Sequence, residues 1–103
     1  MNMATDKQFI EYAAEQLRDN GVVTYKKMFG EYMIYIDAKP IFLVCDNAVY
    51  IKMHEALKPL LGSGETGYPY PGSKLYYLVD IDDSRVLEEV VKLALPLISV
   101  KKR

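Results

Sequence analysis

Six groups of residues in this 103-residue sequence have types and spacings that could support chemistry. Gly62-Ser63-Gly64-Glu65-Thr66-Gly67 fits the Gly-x-Gly-x-x-Gly pattern of dinucleotide-binding turns. That turn must leave a strand and open a helix whose N-terminus receives the pyrophosphate. Here the run follows a helical pattern and leads into Pro69 and Pro71, so it reads as a loop, and no cofactor is expected. Lys74 after Pro71-Gly72-Ser73 lacks the Gly-Lys-Ser/Thr order of a phosphate loop. Asp80, Asp82 and Asp83 could ligate a hard cation, yet the glycine and distal glutamate of a calcium loop are missing and helix capping accounts for them. Cys45 and His54 are the one cysteine and the one histidine, too few for a zinc site and without an orienting third group for a thiol nucleophile. Glu31 has no partner carboxylate nearby in sequence. Nine tyrosines beside Lys26, Lys27, Lys52 and Lys74 could stack on and neutralise a single nucleic-acid strand, although tyrosine equally suits a half-buried sheet surface. No catalytic residue, metal ligand or cofactor residue is assigned, and the chain reads as a non-enzyme.

The elements that would hold these residues follow from pattern. Thr5-Asp6-Lys7-Gln8 has the form of a capping box ahead of Phe9, Ile10, Ala13, Ala14 and Leu17 at helical spacing, with Asn20-Gly21 as the stop. Strand-like residues run from Val22 to Phe29, Gly30-Glu31 turns, and Tyr32 to Ile36 alternates. Asp37-Ala38-Lys39-Pro40 is the next turn, Ile41 to Cys45 the third strand, Asp46-Asn47 a hairpin turn and Ala48 to Lys52 the fourth strand. Met53 to Leu61 suggests a short helix broken at Pro59, and Gly62 to Ser73 a long loop. Leu75 to Val79 is a fifth strand, and Asp82-Asp83-Ser84 caps a final helix with Leu87, Val90, Val91, Ala94, Leu97 and Ile98 towards the core.

This order predicts a single α+β domain over 1–103, a two-layer fold with an antiparallel sheet of about five strands and three helices on one face. The other sheet face is then uncovered. If Ile34, Ile36, Leu43, Val49 and Ile51 face the helices, the open face presents Met33, Tyr35, Phe42, Val44 and Tyr50, an apolar surface for a protein partner or a second copy of the chain.

A formal charge of -1 and a pI near 5.8 give nucleic-acid binding no support. Apolar runs are too short to span a bilayer, and a lone cysteine without a secretory leader predicts a cytoplasmic setting.

Several positions also resemble the TfoX/Sxy N-terminal domain, a bacterial family. They are Met28-Phe29-Gly30-Glu31-Tyr32, Tyr35-Ile36-Asp37, Tyr50-Ile51-Lys52 and Tyr70-Pro71-Gly72-Ser73-Lys74. There are two departures from the usual pattern: Ala38 where glycine is common, and Val49-Tyr50-Ile51-Lys52 where Leu-Tyr-Leu-Lys is common. The resemblance implies a regulatory association, because the founding members control competence genes together with a global transcription activator. Those members also carry a second, helix-hairpin-helix-like domain, for which this length leaves no room. Three readings follow: a protein-contact domain in transcriptional regulation, a direct nucleic-acid binder using Lys26, Lys27, Lys52 and tyrosines, and a small-molecule site beneath the Gly62 to Ser73 loop.

Overall fold

In the computed structural model, which describes residues 5–28 and 30–100, one antiparallel sheet packs its inner face on helices. Phe29 of the motif lies outside the described residues. Helix α1 (Lys7–Gln16) leads through a 3-10 turn to the meander β1 (Val23–Met28), β2 (Glu31–Ile36), β3 (Lys39–Cys45) and β4 (Ala48–Ile51). A 3-10 turn at Glu55–Leu57 runs into α2 (Lys58–Leu61), followed by β5 (Thr66–Gly67), β6 (Tyr76–Val79), α3 (Ser84–Ala94) and a 3-10 turn at Leu95–Leu97. Strand order is β1-β2-β3-β4-β6-β5. The α+β class holds, with six strands in place of about five. The extra strand is the two-residue β5, which pairs Thr66 with Tyr77 and Gly67 with Tyr76 inside the expected loop.

Local chemistry explains most of the turns. Gly30 takes φ 83 between β1 and β2, where a side chain would be strained. Asp37 and Ala38 are left-handed at φ 52 and 68, as are Asp46 and Asn47 at 52 and 58, the paired positive angles of a two-residue hairpin turn. These angles confine the second turn to Asp37-Ala38, so Lys39 and Pro40 belong to β3 and not to the turn. Asp37 also accepts the Val22 N–H through Oδ1 at 3.0 Å.

The capping box does not form. Asp6 is the N-cap of α1 and makes no side-chain cap bond, while the Thr5 hydroxyl donates to the Val44 carbonyl (3.4 Å) and accepts the Asn47 N–H (3.2 Å). A buried Thr5 is thus spent on the β3–β4 hairpin, and Asn47 in turn accepts the Asp6 N–H at 2.9 Å. The cap of α3 does form, since Asp83 accepts the Val86 N–H at 3.1 Å. Pro59 sits in the first turn of α2, where its missing N–H costs nothing. α3 ends at Ala94, before Pro96, so Leu97 does not face the core and is 55% exposed.

The core lies between the sheet and α1 and α3. Ile10 and Ala13 of α1, Leu17 at its C-cap, and Leu87, Val90, Val91 and Ala94 of α3 meet Ile34, Ile36, Phe42, Val44, Val49 and Ile51 from the sheet. Register decides who faces whom: Ile34 pairs with Phe42, Tyr32 with Val44, and Val44 with Val49. Directly opposed residues share a face, so Phe42 and Val44 point into the core and both are fully buried. This corrects the expected interface set, in which Phe42 and Val44 were on the open face and Leu43 inside. The register of β2 against β3 shifts between Ile34 and Tyr35, because Tyr35 pairs with Pro40, leaving Ile41 as the extra residue. That bulge reverses the phase of β3 relative to a simple alternation.

Candidate functional site

Opposite the helices, the outer sheet face carries Met33 and Tyr35 of β2, Leu43 and Cys45 of β3, Tyr50 of β4, and Tyr76 and Leu78 of β6. No helix among the described residues covers this face. Three of the five predicted interface residues, Met33, Tyr35 and Tyr50, are therefore on it. Leu43, Tyr76 and Leu78 join them, positions that become visible only once the β3 phase and the β4–β6 pairing are known.

Tyr50 organises the face. Its ring meets that of Tyr76 edge-on at 6.4 Å and lies over Gly67, where a Cβ would stand 3.4 Å from Tyr50 Cε2 and 3.5 Å from Leu78 Cδ1. A Cβ at those distances makes ordinary van der Waals contact, so the Tyr50 ring packs on β5 without a steric demand for glycine. Burial raises the hydroxyl pKa of both Tyr50 and Tyr76, so both remain neutral donors at ordinary pH. Of the loop, Tyr68 is 65% exposed, whereas Pro69 is buried and Tyr70, Gly72 and Ser73 line a cavity with Lys52 and Tyr76 at one end of the face.

Cys45 is buried at the Glu31 side of this face, and burial, reinforced by the Glu31 carboxylate, pushes its thiol up to about 12. Such a thiol is protonated at neutral pH and a poor nucleophile. His54 lies half-buried just before the 3-10 turn and lines the cavity at the Ile41 end of β3 with Met33, Leu43 and Lys52, whereas Cys45 ends β3 at its other end beside Glu31, so the two are not paired. Among the described residues no three His, Cys, Asp or Glu side chains gather as a metal site. Asp82 accepts a hydrogen bond from the Tyr12 hydroxyl, Asp80 Oδ1 accepts the Asp82 N–H at 2.9 Å, and Asp83 caps α3, so the acidic cluster has a structural use.

The lysines of the nucleic-acid reading do not converge. Lys26 pairs with Met33 and Lys27 with Tyr32, which places them on opposite faces of β1, and Lys52 lies beyond β4 across the sheet. Lys52 does converge with Lys74. Both line a cavity of about 430 Å³ with Tyr70, Gly72 and Tyr76, so two of the motif segments, Tyr50 to Lys52 and Tyr70 to Lys74, meet at one end of the open face. Pro71 is exposed in the turn before them. Met28 and Tyr32 stand at the other end of the sheet, Met28 opposite Glu31 and Tyr32 edge-on to Tyr25 at 5.6 Å.

A six-stranded antiparallel sheet on helices with these motif positions defines a class: the chain belongs to the TfoX N-terminal domain family, whose profile matches residues 15–96. It is also 36% identical over 78 residues to an uncharacterised 12.7 kDa protein in the trpE 5′ region of Spirochaeta aurantia, a span covering 76% of this chain and 68% of that protein. No helix among the described residues is long and apolar enough to cross a membrane.

Proposed function

We propose that this domain is a non-enzymatic module of cytoplasmic transcriptional regulation, acting by docking a protein partner on its open sheet face. The observation that carries the reading is the sheet face opposite the helices, where the half-buried Met33, Tyr35, Tyr50 and Tyr76 surround a buried Leu43. Apolar surfaces rich in aromatic side chains are characteristic of interface centres. A partner that activates transcription fits the family, and membership in the TfoX N-terminal domain family supports a competence-related role. The separation of Lys26, Lys27 and Lys52 favours protein over nucleic acid as the partner.

Transcript profiling tests this. A strain lacking the gene is compared with strains restored by wild type or by Met33→Lys/Tyr35→Lys, both half-buried positions whose replacement leaves the core intact. Loss of the gene and the double variant should shift the same transcripts. Unchanged transcripts in the null strain would overturn the regulatory reading, and full rescue by the double variant would overturn the face. Sedimentation equilibrium of the purified domain asks whether a second copy is the occupant instead, which a stable dimer split by the double variant would show.

A further inference from the structure

At the end of the open face, two cavities run together. One, of about 290 Å³, has an apolar lining that includes Met33, Ile41, Leu43 and Ile98, and it shares Lys52 and Tyr76 with the 430 Å³ cavity that Lys74 lines. The result is a groove with an apolar end and a cationic end. Every fully charged side chain among its described lining residues is a lysine, although the chain carries 14 acidic residues against 13 basic ones. The ion pairs among the described residues are Arg18–Glu15 and Lys92–Glu89, so neither groove lysine has a carboxylate partner there. Two lysines lining one cavity offer an anion two cationic contacts.

We propose that this groove binds a small amphipathic carboxylate, an acyl-chain acid whose head lies between Lys52 and Lys74 and whose tail runs along Met33, Leu43 and Ile98. Three features select this class. Phosphate sites draw on arginine forks, helix N-termini or nests of backbone N–H groups, whereas this lining has two lysines and His54, no arginine and a Ser73 hydroxyl already donating to the Lys74 carbonyl at 2.8 Å. An extended peptide would need a free strand edge for its backbone, but β3, β4 and β6 are each paired on both sides. The tail end suits hydrocarbon: Met33 is unbranched and adapts to irregular chains, and the volume is at the lower range of small-molecule sites. The groove shares Met33, Leu43 and Tyr76 with the proposed docking face, and titrating the purified domain alone reads ligand binding apart from any partner.

Amide chemical-shift titration of the purified domain tests it, with decanoate as probe, decanol as the probe lacking the charge, and decyl phosphate as the alternative head. Decanoate should shift Met33, Leu43, Tyr76 and Ile98 in a saturable way, with decanol at least about tenfold weaker. Lys52→Met/Lys74→Met, at two exposed positions that leave the fold unchanged, should lose that tenfold preference. Equal binding of decanol and decanoate, unaltered decanoate binding by the double variant, or shifts confined to residues outside the groove would overturn the proposal. Tighter binding of decyl phosphate than of decanoate would overturn the carboxylate assignment.

Discussion

Phe42→Ala and Tyr35→Ala form a pair that measures which face of the sheet is the core. Phe42 is fully buried against the helices, opposite Ile34, whereas Tyr35 is half-buried on the outer face opposite Pro40. Emptying a buried phenylalanine site costs about 3–5 kcal/mol, the lost transfer free energy plus the cavity left behind. A domain of this size has a total stability of roughly 5–15 kcal/mol, so Phe42→Ala removes a large fraction of it. The melting temperature should fall by at least about 12 °C, given roughly 4–8 °C per kcal/mol for small domains. Tyr35→Ala removes cross-strand contacts on a partly wet surface and should cost about 1 kcal/mol. Urea melts followed by far-UV circular dichroism give both values, and equal slopes establish that stability alone changed. If Tyr35→Ala cost more than Phe42→Ala, the phase assigned to β3 would be wrong.

Two other measurements bear on the fold. Because the folded Cys45 thiol titrates at about 12 against an ordinary value near 9, the native state holds a proton that the unfolded chain releases; stability is therefore intact below about pH 9 and declines above it by roughly 1.4 kcal/mol per pH unit. Urea midpoints at pH 8 and 10.5 should fall more steeply for wild type than for Cys45→Ala, and parallel falls would refute the burial of this thiol. Ala38 holds the left-handed angle φ 68 that favours glycine, so Ala38→Gly should raise stability by about 1 kcal/mol while Gly30→Val, at φ 83, lowers it by more than that; thermal melts read both, and a destabilised Ala38→Gly would contradict the left-handed turn.

How much of this was legible in the residues depends on how far each contact reaches along the chain. The alternation in Tyr32 to Ile36 and the helical spacing of Leu87, Val90, Val91 and Ala94 are local patterns, and both identify their elements and inner faces correctly. Ile41 to Cys45 is apolar throughout, so nothing in that run says which side chains face in. A bulge beside Pro40 settles its phase instead. β5 is two residues in a glycine-rich loop and exists because Tyr76 and Tyr77 pair with it. Thr5 has the right neighbours for a capping box, but the hairpin at Asn47 takes its hydroxyl. Lys52 and Lys74 were recognisable as motif residues; their meeting requires β4 and β6 to be adjacent, a pairing that skips an intervening strand.

That skipped pairing sets the order in which the domain can assemble during synthesis. β1 to β4 join neighbours through short turns, so their loop-closure cost is small and they can collect as soon as they leave the ribosome. β4 then waits for β6, and α1 waits for the segment that receives Tyr12 and Gln16 through Asp82 and the Ile81 carbonyl. During this interval Val49, Tyr50 and Ile51 form an unpaired edge of a nascent sheet whose inner face still lacks α3. Such an edge is a template for pairing with another chain. The period of greatest aggregation risk is therefore the time taken to translate the loop between β4 and β6.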